Sequence, residues 1–168
     1  EAAGRDAARF AATYAPIGIL PPDHYLSLVL QATEGCSFNS CTFCDLYSER
    51  YRVKTREEFR AHIEAVRACF GAGISLRERS VFLGAANALA VPMPRLEELL
   101  AEVRAARGRP PRGLHAFVDG FTGERKSAAD YRRLRAWGLT RVYLGLESGH
   151  DALLEFVRKP ARAAEVIE

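Results

Sequence analysis

Three cysteines fall within nine residues, in Glu34-Gly-Cys36-Ser-Phe-Asn-Ser-Cys41-Thr-Phe-Cys44-Asp, a C-x4-C-x2-C spacing. Three thiolates on one short loop can hold three irons of a cubane iron–sulfur cluster and leave the fourth iron without a protein ligand. An open metal position marks a catalytic site rather than a closed structural one. Two readings without catalysis compete with it. A zinc-stabilised module needs four ligands, usually as two closely spaced pairs. Cys41 and Cys44 make one pair, and Cys69 or His24 would have to be recruited from a helix or from across a strand. An electron-transfer iron–sulfur protein normally has four cysteines per cluster. The spacing predicts Cys36, Cys41 and Cys44 as metal ligands and Cys69 as a small buried side chain on a helix. No catalytic acid, base or hydrogen donor is legible.

The 168 residues suit about one domain. Lys+Arg of 24 against Asp+Glu of 21 gives a net charge of +3, too small to predict nucleic acid or an acidic membrane surface as partner. Hydrophobic residues at 48% and charged residues at 27% exclude a disordered chain. No stretch approaches the ~18 apolar residues of a membrane span. A cluster of three cysteines in a chain with a full-sized core reads as reduced thiols rather than a secreted disulfide framework, so the expected location is cytoplasmic.

The cysteine loop needs elements to hold it, and the chain supplies a repeated strand-then-helix unit. Residues 1–23 read as an Ala-rich extension stopped by Pro16, Pro21 and Pro22. Residues 25–33 alternate as a strand. Thr55 to Glu58 forms a capping box, followed by a helix with Phe59, Ile63, Val66 and Phe70 on one face. A strand over 80–84 precedes a helix over 95–107, with Pro94 at its start and Gly108 at its end. A strand over 114–119 precedes a helix capped by Ser127 and stopped by Gly138. A strand over 141–147 precedes a last helix over 150–158, for which Ser148 is the expected cap. Arg132, Arg133 and Arg135 read as a solvated helix face. Four such units imply a parallel sheet with right-handed crossovers. The last two strands have one aliphatic face and one mixed face, which suits a barrel-like sheet with helices outside. Four strands cannot close a barrel. The expected fold is therefore α/β, a partial TIM-like barrel, with 24–168 as the N-terminal two-thirds of a larger core.

The loop Gly-Cys36-Ser-Phe-Asn-x-Cys41-x-Phe43-Cys44 resembles that of the radical S-adenosylmethionine (SAM) superfamily, in a subgroup with four residues in the first gap. Val81-Phe-Leu-Gly84-Ala-Ala-Asn87 is similar to the second-strand segment of that family. Val142-Tyr-Leu-Gly-Leu-Glu147-Ser-Gly149 resembles its fourth-strand motif, and 154–159 the helix end that follows. The resemblance implies a six-unit partial barrel and a [4Fe–4S] cluster on the three cysteines. It also implies S-adenosylmethionine as second cofactor, reductively cleaved to a 5′-deoxyadenosyl radical that abstracts hydrogen from an unidentified substrate. An external one-electron donor, flavodoxin- or ferredoxin-like, is implied as partner. The implied SAM contacts are Phe43 beside the adenine or the cluster, the Gly84 backbone and Asn87, Glu147 towards the ribose or ammonium group, and Lys159, or its neighbour Arg158, towards the carboxylate. The family's usual second-strand Gly-Gly-Glu is here Gly84-Ala-Ala-Asn87, so a carboxylate role at Asn87 is lost. His115, Phe117 and Asp119 face the expected interior, and Asp119-Gly120 reads as a turn. Gln31, Asn87, Asp119 and Glu147 are expected to converge at one end of the sheet.

Overall fold

The computed structural model of the chain describes residues 2–108, 110, 112–119, 121 and 125–167. Gly120 lies outside the described residues. Four parallel strands form one sheet: β1 (Leu28–Gln31), β4 (Val81–Gly84), β5 (Leu114–Val118) and β6 (Leu139–Leu144), side by side in that order. A short antiparallel pair, β2 (Thr33–Glu34) with β3 (Arg52–Val53), follows β1 and encloses the cysteine loop. The helices are α1 (Ala2–Thr13), α2 (Arg56–Phe70), α3 (Met93–Arg107), α4 (Ala128–Trp137), α5 (Asp151–Phe156) and α6 (Ala163–Ile167).

Local chemistry fixes the helix ends. Thr55 caps α2 and Ser127 caps α4, each with both arms of a capping box closed onto Glu58 and Asp130. Gly138 ends α4 at φ 113, a conformation that side chains avoid, and the chain enters β6 directly. Pro94 occupies the second position of α3, after Met93. The cap of α5 is His150 rather than the expected Ser148: the His150 ring accepts the Leu153 N–H. Ser148 Oγ instead accepts the His150 N–H at 3.0 Å.

The strands are shorter than the alternation predicts. Tyr25 and Leu26 are exposed and lie outside β1, because Pro22–His24 makes a 3-10 turn that bonds back onto itself. β6 ends at Leu144, and Glu147 beyond it has φ 62, which no strand tolerates. Residues paired in register share a face. Leu28, Leu30, Leu83 and Ala116 thus look to one side, where they join Phe59, Ile63, Leu96, Leu99 and Leu134 of α2, α3 and α4 in the core. Val29, Phe82, Phe117 and Tyr143 look to the other side. There Phe82, Phe117 and Tyr143 form a triangle of rings 5.1 to 6.2 Å apart. The expected contrast between an aliphatic, helix-covered face and a mixed face is present. The sheet is an α/β arrangement of four parallel strands, and the described strands do not close on one another.

Residues 1–23, read as an extension, contact this unit. Arg9 donates to the Ala68 carbonyl of α2 at 2.6 Å, and Tyr14 is buried with its hydroxyl donated to the Val29 carbonyl at 3.0 Å.

Candidate active site at the C-terminal edge of the sheet

Parallel sheets present ligand sites beyond the C-terminal ends of their strands. Here that edge is covered by the loop between β2 and β3. Pairing of Glu34 with Arg52 makes the loop leave and return at one place. Glu34 holds the base, bonded by Arg52 and Lys54 at 2.6 Å each. Burial acts to raise the Glu34 pKa, but the hydrogen bonds from Lys54 and Arg52 outweigh it, so the carboxyl sits below its ordinary value. Gly35 has φ 67, and a Cβ there would collide with the Glu49 carbonyl oxygen. Only glycine lets the two arms of the loop approach so closely.

The loop corrects the main sequence expectation. Cys36, Cys41 and Cys44 are free thiols, each partly exposed. Among the described residues, no three of His, Cys, Asp and Glu are placed to hold a metal ion. The local turns explain why the thiols do not converge. Asn39 N–H donates to Cys36 Sγ at 3.4 Å, the Cys44 N–H bonds the Cys41 carbonyl, and the Thr42 N–H is tied to the Val157 carbonyl of the helix-end segment. Burial pushes the Cys41 thiol up, opposed by Lys159, while Cys36, Cys44 and Glu147 push it further up. The donor set does not fit the expected [4Fe–4S] cluster, nor a zinc ion. The expectation that S-adenosylmethionine is chelated by an open iron on this loop falls with it. Cys69 lies apart, on α2.

The other expected residues divide into two groups. Asn87 and Asp119 meet: Asn87 Nδ2 donates to Asp119 Oδ2 at 2.6 Å. The same Asn87 caps a 3-10 turn through Oδ1, which accepts the Ala90 N–H at 3.1 Å. Glu147 and Lys159 form an ion pair at 2.9 Å. Lys159 also lies over the Phe121 ring at 5.4 Å, and Phe121 meets Phe38 of the cysteine loop edge-on at 5.5 Å. Asn87 with Asp119 and Glu147 with Lys159 therefore bracket one end of the sheet. Gly145 leaves room there: a Cβ would strike the Glu147 carboxylate.

The second group does not join them. Phe43 is 54% exposed. The Gly84 carbonyl is used within the fold, accepting the Ala32 N–H at 2.8 Å. Gln31 is committed to the backbone of Ala15. His115 belongs to the N-terminal end of the sheet, its ring tilted against that of His24 with ring centres 4.1 Å apart. Burial, and then the neighbouring His24, lower its pKa to about 4. Phe38, Tyr51 and Phe121 were not anticipated. Tyr51 donates to the Asn87 carbonyl at 3.5 Å, and burial pushes its phenol up to about 12. A Phe inside the cysteine motif and another directly after Asp119-Gly120 were the signals available.

Residues 30–168 match the Radical SAM superfamily. The chain belongs to the radical SAM superfamily. No curated protein and no solved structure matches it. The radical SAM match starts within β1 and runs through α6, so it takes in the parallel sheet, the cysteine loop and both polar pairs at its C-terminal edge. Among the described residues, no helix is long and apolar enough to cross a membrane.

Proposed function

We propose that the chain is the catalytic core of a radical enzyme that works at the C-terminal edge of the sheet, between the Asn87–Asp119 and Glu147–Lys159 pairs. Superfamily membership over residues 30–168 carries this reading. The reaction class that goes with it is one-electron cleavage of the sulfonium C–S bond of S-adenosylmethionine. The products are methionine and a 5′-deoxyadenosyl radical, which takes a hydrogen atom from a substrate of unknown identity. The electron comes from an external one-electron donor. The setting is the cytoplasm, in keeping with four free thiols. The architecture that goes with this reading is a six-unit partial barrel with residues 24–168 as its first two-thirds, preceded by the extension 1–23. That β6 pairs only with β5 among the described strands is in keeping with it.

The chain's own residues have tasks that their chemistry supports. Lys159, with Phe121 beneath it, offers a cation to a carboxylate. Glu147 offers an acceptor to hydroxyl or ammonium groups. Asp119, held by Asn87, offers a second acceptor across the gap. Among the described residues the thiols of the cysteine loop are not placed together for a metal group, and no step is assigned to them.

The test is an anaerobic incubation of the full chain with reductant and S-adenosylmethionine, read as 5′-deoxyadenosine. Formation of 5′-deoxyadenosine above a no-enzyme control is the expected result. Its absence under conditions where an authentic radical SAM enzyme produces it would overturn the reading.

A further inference from the structure

The segment of residues 15–21 crosses the face of β1 and β4 that the helices leave uncovered. Pro16, Ile17 and Leu20 lie on Val29, Phe82 and Gly84, and the void left between them is only about 10 Å³, room for one water at most. The segment takes the position that a ligand on this face would take.

Its side-chain hydrogen-bond anchors lie at one end, while Gly18 packs on Leu46 and Tyr47 of the cysteine loop and the buried Pro21 accepts the His24 N–H at 2.8 Å. The Gln31 side chain reads the Ala15 peptide in both directions: Oε1 accepts the Ala15 N–H at 3.1 Å and Nε2 donates to the Ala15 carbonyl at 2.9 Å. Tyr14 Oη donates to the Val29 carbonyl. His62 accepts the Gln31 backbone N–H on Nε2 at 3.0 Å and also bonds the Thr13 backbone. These groups seal the outer edge of β1, the edge strand of the sheet. Beyond them the segment is held by packing and by the Pro21 carbonyl. α1 has 12 residues with no acidic residue in its first turn and no basic residue in its last, too short to persist alone. Ile19 is half exposed, and Ile17 and Leu20 are only partly buried. The sheet behind is closed on its helix side by fully buried Leu30, Phe59, Leu83 and Leu96.

We propose that residues 15–21 are a releasable strap: they cover the inner face of β1 and β4 and lift away while the sheet and α2, α3 and α4 stay folded. Closed, the strap keeps Val29 and Phe82 from ligands. Open, it admits a flat apolar group beside the C-terminal edge. That functional consequence rests on the reading of the edge as the active site, whereas the opening itself does not. Local opening breaks the two Gln31 bonds to Ala15, the adjoining Tyr14 bond to Val29 and partial apolar contacts, and global unfolding breaks the core as well, so the two are separable.

The experiment is native-state proteolysis of the full chain with thermolysin, which cuts before large apolar residues once they are locally unfolded. When reclosing is fast, the cutting rate follows the population of the open form. The expected first cuts lie at residues 17–20, well before any cut in β4. Gln31→Leu keeps the side-chain size and removes both bonds to Ala15. It should speed the strap cuts about thirtyfold, the effect of two ordinary hydrogen bonds, with no change in the rate of cuts in β4. Tyr14→Phe, a milder change, should speed them about fivefold and serves if Gln31→Leu does not fold. Strap and β4 cuts appearing together at one rate, or rising equally in the variants, would overturn the strap.

Discussion

His62 joins α2 to β1 and to the end of α1, and its chemistry makes the junction pH-sensitive. Nε2 accepts the Gln31 N–H, so it must be unprotonated in the fold. Burial first, and then Lys54, lower its pKa from 6.5 to about 4, against smaller raising effects of the Thr13 backbone and Glu34. Tyr14 meets the ring edge-on at 5.4 Å and carries no charge in this range. The folded state favours the neutral imidazole. The contribution to stability is therefore complete above the ordinary value near 6.5 and is lost as pH falls towards 4. Linkage gives a loss of about 2 kcal/mol by pH 5 and about 3 kcal/mol by pH 4. His24 and His115 are also held neutral by burial and contribute their own acid sensitivity. The comparison that isolates His62 is His62→Gln, whose amide can accept from Gln31 and donate to Thr13 without titrating. Urea unfolding of both proteins between pH 7 and pH 4 is the assay. The stability of wild type relative to the variant should fall by those amounts over that range. Two curves that run parallel would refute the assignment of a neutral, accepting His62.

Three further outcomes follow from single contacts. Gly35→Ala places a methyl on the Glu49 carbonyl at a positive φ and should cost about 1–3 kcal/mol, measured by urea unfolding, with faster proteolysis within residues 35–51. Thr55→Ala removes the hydroxyl that accepts the Glu58 N–H and should cost about 1 kcal/mol; Thr55→Asn should restore most of it, and an unchanged unfolding midpoint in Thr55→Ala would contradict the cap. Cys41 should react with iodoacetamide more slowly at pH 8 than a free thiol such as glutathione, because burial holds its thiol up, and mass spectrometry of the labelled peptide would expose the opposite order.

Much of the fold was legible because its signals are local. The capping boxes at Thr55 and Ser127 and the glycine stops at Gly108 and Gly138 are each decided within one turn of chain. Strand ends were less legible. Leu26 continues the alternation of Leu28 and Leu30, yet the Pro22–His24 turn removes it from the sheet. The α5 cap was misassigned because serine and histidine can both accept a backbone N–H, and only the path of the chain decides between them. At the site, residue type and position at strand ends pointed to Asn87, Asp119 and Glu147, and the family resemblance to Lys159; the structure pairs Asn87 with Asp119 and Glu147 with Lys159. The convergence of Cys36, Cys41 and Cys44 did not follow from spacing. Spacing brings thiols onto one loop, but the direction of each depends on local turns such as that of Asn39 onto Cys36 and on ties to distant segments such as that of Thr42 to Val157. The role of Gln31 was hidden for the same reason: its partner is Ala15, sixteen residues earlier, in a segment with no strand signal.

The two polar pairs at the C-terminal edge flank the place where the proposed chemistry occurs. Its most direct measurement is the anaerobic yield of 5′-deoxyadenosine from the full chain and from Lys159→Met, with far-UV circular dichroism and unfolding midpoints alongside. Lys159 is the cation of the Glu147 pair and sits over Phe121. Product is expected from wild type and a loss of about tenfold or more in the variant, the effect of one charge-assisted hydrogen bond, with the fold unchanged. Equal yields from the two proteins would contradict it.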